Sequence, residues 1–208
     1  MKGKFVTFEG CEGVGKSTQV EMLKEYLTAR GGNFLFLREP GGNAVSEKIR
    51  ELILTKDYGE ICGRCEALLY CAARAQLIDT VIRPALEQGK LVVCDRFTDS
   101  TFAYQGVARG LGAEYIARLN ELTCGEVTPD VTVFLDMSPE EAFARKGGAD
   151  ASDRLESAGM EFHRKVYEGY REAARLYPAR IVSVDARPSA DKVFAAVLAA
   201  LERAGVKL

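Results

Sequence analysis

Histidine is almost missing from this chain: His163 is the only one in 208 residues. Cys62 and Cys65 in "CGRC" have the spacing of half a zinc site, but no second such pair follows and the histidine lies far along the chain. Reduced thiols are therefore expected there and at Cys11, Cys71, Cys94 and Cys124. His163 itself, flanked by Phe162, Arg164 and Lys165, reads as a surface or interface residue rather than a catalytic one. Positive charge is not in excess either. Lys and Arg number 28 against 30 Asp and Glu, a net charge of −2, so no nucleic-acid partner is announced. Any anion site must come from local arrangement. No apolar stretch approaches a membrane span, and the opening "MKGKFVTFEG" is too short in apolar residues for a signal peptide's core. A cytoplasmic protein is expected.

What is present is regular alternation. Five short apolar runs recur: "FVTFE" (5–9), "FLFLRE" (34–39), "LVVCD" (91–95), "VTVFLD" (131–136) and "RIVSVD" (180–185). They are nearly continuous in apolar residues, as suits parallel strands covered on both faces. Helical patterns lie between them. Val20, Leu23, Lys24 and Leu27 space one that stops at Gly31 and Gly32. Others cover 45–54, 64–88, 113–124, 139–146, 155–177 and 189–204, with Phe162, Val166, Tyr170 and Ala174 marking an apolar face on the longest. The expectation is one α/β domain over residues 1–208, a three-layer α/β/α fold on a five-stranded parallel sheet.

Ligands of such sheets gather at the carboxyl ends of the strands. There the chain places "EGCEGVGKST", "REPGG", "DRF", Asp136 and Asp185. "GCEGVGKS" fits G-x-x-x-x-G-K-[ST] without a mismatch, between a strand and a helix. Its glycines, Gly10, Gly13 and Gly15, permit close approach of a polyphosphate to the loop amides from Gly10 through Cys11, Glu12, Val14 and on to Thr18. Lys16 supplies charge for the β and γ phosphates, and Ser17 a hydroxyl for Mg²⁺. ATP and Mg²⁺ are thus expected ligands. Asp95 and Asp136 both close strands and are the candidate metal carboxylates. Asp95 is preferred because Arg96 follows it at once, so one position serves the metal while the next clamps a phosphate. Asp136 reads instead as the lead into a helix capped by Ser138 with Pro139 at its first position. Arg38, at the end of the second strand, can grip with Arg96 a phosphate carried by the acceptor.

"GCEGVGKST", "REPGG", "LYCAARAQ", "DRFTDSTFAYQG" and "DRLE" occur in the order and spacing of thymidylate kinases of the bacterial type, and over essentially its whole length the chain resembles that family of P-loop nucleoside monophosphate kinases. The resemblance implies transfer of the γ-phosphoryl group of ATP to dTMP, and a homodimer. It places Glu12 toward the sugar 3′-hydroxyl and the metal-bound phosphates. Tyr70 takes the position of the base-stacking aromatic, usually Phe, and Arg74 that of the arginine reading a thymine carbonyl. Thr101 lies near thymine N3, Tyr104 crowds the 2′ position, and Gln105 lies beside the substrate. With no arginine in the phosphate loop, a lid over about 144–156 must supply charge to the moving group. It holds only Arg145, Lys146 and Arg154. Arg154 is assigned to the transition state and Arg145 to stacking on adenine or helping the lid, while Asn43 replaces the threonine usual after "REPGG". Two other readings stay open: a kinase of another nucleotide or deoxynucleoside, and an ATP-dependent switch with no metabolite kinase activity.

Overall fold

The computed structural model describes residues 3–57, 59–147 and 154–208. Five parallel strands form its sheet: β1 (Lys4–Glu9), β2 (Phe34–Arg38), β3 (Leu91–Asp95), β4 (Val131–Asp136) and β5 (Ile181–Asp185), in the order β2-β3-β1-β4-β5. Successive side chains of a strand point to opposite faces. Phe5 accordingly joins Val92, Cys94, Leu77, Ile78 and Ile82 on one face, while Val6 and Phe8 join Val93, Val133 and Leu135 on the other. Both faces are buried, as continuous apolar runs require.

The register aligns the strand ends. Arg38 pairs across from Asp95, Phe8 also lies opposite Asp95, and Asp136 lies opposite Asp185. From β1 the chain travels outward to β2 and β3, then crosses to β4 and β5 on the other side. That reversal opens a crevice above β1, where a ligand fits.

The helices are α1 (Lys16–Thr28), α2 (Ala44–Leu54), α3 (Gly63–Leu77), α4 (Arg83–Glu87), α5 (Thr98–Thr101), α6 (Ala113–Cys124), α7 (Pro139–Lys146), α8 (Met160–Leu176) and α9 (Ala190–Arg203). Helix α3 runs through a π-helical segment, Ile78–Ile82, straight into α4, so the span 64–88 is one rod with a wider turn inside it. Ser138 and Glu141 form the reciprocal capping box of α7 with Pro139 in its first turn. Such a cap is worth about 1 kcal/mol.

Three features differ from the sequence reading. Helix α5 continues as a π-helical segment, Phe102–Ala108, where the sequence pattern predicts no helix. Helix α8 begins at Met160, not 155, because Gly159 turns the chain with φ 90°. Its buried stripe is His163, Val166, Gly169, Tyr170 and Ala173, so His163 is not a surface residue. It is 1% exposed, edge-on to Phe143 at 4.8 Å between ring centres. Gly169 lets α8 close on the Phe102–Ala108 segment: a Cβ there would lie 2.7 Å from the Ala103 Cα.

None of the six cysteines is in a disulfide; Cys62 and Cys65 are exposed and the other four buried. Among the described residues there is no cluster of three or more His, Cys, Asp or Glu side chains able to hold a metal, and no helix long and apolar enough to cross a membrane. Of the lid segment, residues 148–153 lie outside the described residues.

Candidate active site

One cavity of about 600 Å³ opens above the strand ends. Its floor is the loop from β1 to α1. Gly13 has φ 79°, and a Cβ on it would meet the Ala142 carbonyl oxygen at 2.7 Å, so only glycine lets the loop pass under α7. The side chains of Cys11 and Val14 belong to the core. What the loop offers a ligand at those positions is backbone alone. Lys16 is buried and donates from Nζ to the carbonyls of Gly10 (3.0 Å) and Cys11 (2.8 Å). Burial, then Arg96 nearby, pulls its pKa down. Ser17 and Thr18, exposed at the start of α1, also line the cavity.

Asp95 and Asp136 are told apart by their partners. The Asp136 carboxylate accepts the Tyr167 hydroxyl at 2.8 Å. Asp95 Oδ1 is buried with no hydrogen-bond partner, in the cavity that Ser17 and Lys16 line. An anionic oxygen with no donor aimed at it, beside a hydroxyl, fits a hard divalent cation that keeps its remaining ligands from water and phosphate.

Arg96 is the one non-glycine residue with positive φ (71°) among the described residues. Its Nη1 donates to the Gly10 carbonyl (3.1 Å), Ser100 Oγ (3.2 Å) and Tyr170 Oη (2.8 Å), and its Nη2 to Glu12 Oε1 (2.5 Å). Tyr104 Oη reaches the same Glu12 oxygen at 3.3 Å. Burial would raise the Glu12 pKa, but Arg96 and then Lys16 outweigh it and hold the carboxyl at about 2. A carboxylate in a phosphate loop is tolerated because cations surround it.

Tyr70, Arg74, Thr101, Tyr104 and Gln105 come from α3 and the α5 region to one wall of the cavity. Arg74 is 1% exposed. It donates from Nε to Glu39 Oε2 (2.8 Å), from Nη1 to Asn120 Oδ1 (3.2 Å), and from Nη2 to the Phe97 carbonyl and Thr101 Oγ1 (both 3.0 Å). Four of its five N–H groups are thereby committed to the protein, and one is left for a ligand. Burial lifts Glu39 to about 7 against the pull of Arg74. Arg38 also lines the cavity, held by both Glu47 oxygens at 3.0 and 2.9 Å. Asn43 caps α2, its side chain accepting from the Ser46 amide.

Comparison with known proteins fits this geometry. The family model for thymidylate kinase matches residues 8–197. A thymidylate kinase of Thermoanaerobacter sp. (strain X514) is 48% identical over 193 residues, 93% of this chain and 94% of its own length. One from Caldanaerobacter subterraneus subsp. tengcongensis is 46% identical over 202 residues, covering 97% and 96%. The crystal structure of thymidylate kinase from Ehrlichia chaffeensis superposes with a TM-score of 0.81 at 32% identity, covering 97% of this chain and 100% of that one. The chain belongs to the thymidylate kinase family.

Sequence reasoning missed three buried carboxylates around the site. Glu9, 0% exposed, accepts from the Phe97 amide (2.7 Å), the Ser100 amide (3.2 Å) and hydroxyl (2.6 Å), and Tyr170 Oη (3.1 Å). Burial and the nearby Asp99 raise it to about 7. Through Ser100 and Tyr170 it steadies Arg96. Glu39 anchors Arg74, and Glu66 collects Gln105, Arg109 and Arg154. The only sequence signal was that Glu9 and Glu39 each end an apolar run. Arg145 reaches the carbonyls of Ala186 (2.8 Å) and Arg187 (2.9 Å) from the cavity rim. Arg154 lies outside the cavity lining, with Nε on the Ile53 carbonyl at 2.9 Å.

Proposed function

We propose that this cavity holds ATP at the phosphate loop and dTMP against Tyr70 and Arg74, and transfers the γ-phosphoryl group to give ADP and dTDP. One observation carries the reading: the phosphate loop and a buried, fully oriented arginine open into the same cavity. A triphosphate switch has no use for the second.

The remaining N–H of Arg74 suits a carbonyl on a pyrimidine, with Tyr70 supplying the stacking face and Thr101 a hydroxyl beside it. Tyr104 and Glu12 line the sugar end, where the carboxylate accepts a hydroxyl proton in a hydrogen bond. Gln105 lies on the same wall. Arg96, and Arg38 after exchanging Glu47 for a ligand, hold the acceptor phosphate; Gly10 to Thr18 and Lys16 hold the donor, with Arg145 at the adenine end. Asp95 and Ser17 would hold Mg²⁺, which when bound neutralises charge on the donor phosphates. An acceptor phosphate oxygen attacks the γ-phosphorus. The new P–O bond forms as the bond to the β,γ-bridging oxygen breaks, and that electron pair leaves with ADP. No general base is needed, since the acceptor phosphate is ionised at neutral pH. Positioning and charge carry the catalysis.

The family also supports a homodimer. Exposed Val45, Leu52, Leu68, Tyr115 and Leu122 all lie on α2, α3 and α6. Leu68→Glu with Leu122→Glu is expected to shift the sedimentation of the protein from dimer toward monomer. No shift would place the interface elsewhere.

The function is tested by ADP release with ATP and Mg²⁺ over dTMP, dUMP, ribothymidine monophosphate, dCMP, thymidine and no acceptor. Turnover led by dTMP is expected. Equal slow release with and without acceptor would leave a nucleotide-binding switch.

A further inference from the structure

Gln105 is 1% exposed, lines the cavity with Arg74 and Thr101, and donates from Nε2 to Glu66 Oε1 at 2.8 Å. An amide side chain has a donating and an accepting end of nearly equal shape, so its neighbours decide which way it faces. Here the neighbour admits one answer. Glu66 is fully buried on α3, and its oxygens also receive Arg109 (3.3 Å to each) and Arg154 (2.6 Å). A carboxylate only accepts. The Gln105 nitrogen must therefore face Glu66, and its carbonyl oxygen is the end left for a ligand. Turned over, the amide would set oxygen against oxygen in a buried place.

Arg74 supplies the other half of the pattern. Its remaining N–H gives, Gln105 receives, and the Thr101 oxygen is already met by Arg74 at 3.0 Å. Thymine and uracil answer such a wall with a carbonyl oxygen at ring position 4 and an N–H at position 3. Cytosine carries the reverse, an amino group and a bare ring nitrogen, and would set donor against donor and acceptor against acceptor. We infer that Glu66 is a specificity-determining residue: without touching the nucleotide it fixes the Gln105 amide so that the cavity takes an N3–H pyrimidine and refuses cytosine. The inference rests on dTMP as the acceptor bound against Tyr70 and Arg74. Glu66 is a positioning residue that acts through Gln105, and Arg109 and Arg154 hold its carboxylate in place.

The test compares the KM for dTMP with the inhibition constant of dCMP against it, in the unaltered protein, Glu66→Gln, Glu66→Asp, Gln105→Met and the double variant Glu66→Gln with Gln105→Met. Melting temperatures are taken beside them. Glu66→Gln keeps the size of the side chain but lets the Gln105 amide turn over. It is expected to cut the preference for dTMP over dCMP about tenfold, with kcat for dTMP within about threefold of the parent. Glu66→Asp keeps an acceptor there and should hold the preference within about threefold. Gln105→Met should lower it at least as far as Glu66→Gln does. Adding Glu66→Gln to Gln105→Met should then change it by less than about twofold, because the two act as one unit. A role confined to stability would move melting temperature and leave the preference alone. Should Glu66→Gln fail to fold, Glu66→Asp and Gln105→Met decide, and parental preference in Gln105→Met overturns the inference. Parental preference in Glu66→Gln, or a full further loss on top of Gln105→Met, overturns it as well. Absence of dTMP turnover in the unaltered protein would instead overturn the phosphoryl-transfer reading itself.

Discussion

Arg96→Ala is expected to lower kcat by roughly a hundredfold or more, because the acceptor phosphate loses the charge that holds it in line for attack. The guanidinium joins the phosphate loop, through the Gly10 carbonyl and Glu12, to Ser100 and Tyr170. Without it Glu12 faces the phosphates with its strongest neutralising neighbour gone. Backbone strain separates the catalytic loss from a structural one. A non-glycine residue at φ 71° costs about 1–3 kcal/mol, offset here by the side chain's own hydrogen bonds. Alanine keeps the strain and loses the bonds, whereas Arg96→Gly loses both. Arg96→Gly is therefore expected to melt above Arg96→Ala while being equally inactive. More than a tenth of parental kcat in either variant would remove Arg96 from the reaction.

Arg74→Met is expected to destabilise the fold by about 3–5 kcal/mol, because Glu39 would be left buried without its counter-charge. For a chain of this size that is a fall of about 10 °C in melting temperature. Adding Glu39→Gln removes the stranded charge and is expected to recover a large part of the loss. The double variant then isolates base recognition from stability: it should fold, yet bind dTMP poorly, since the one donor left for the base has gone. Urea denaturation and dTMP titration read the two effects separately. Parental stability in Arg74→Met alone would show that water or a shift of Glu39 relieves the charge.

Much of this architecture was legible in the sequence because its signals are local. A glycine-rich corner between an apolar run and a helical pattern announces a phosphate loop, and Asp95 with Arg96 stands out by closing a strand. The carboxylates that orient the arginines were not legible because they meet their partners only through the fold. Glu39 lies 35 residues from Arg74, Glu66 88 residues from Arg154, and Glu9 91 residues from Ser100. His163 was misplaced by its charged neighbours. The buried face of α8 keeps Val166 and Tyr170 of the expected stripe but takes His163, Gly169 and Ala173 in place of Phe162 and Ala174. The helix over 98–108 escaped notice for a different reason. Its second part is π-helical, and a pattern wound wider than 3.6 residues per turn does not show that period.

That wider winding also fixes how the segment tolerates change in length. Deleting one residue between Phe102 and Ala108 would let the helix tighten to ordinary winding, and the closer winding takes up the missing residue, so the parts before and after it keep nearly their mutual orientation. The same deletion in the regularly wound α8 has no wide turn to absorb it and would turn one end by roughly 100° against the other. The wide turn is thus a residue of slack built into the cavity's wall.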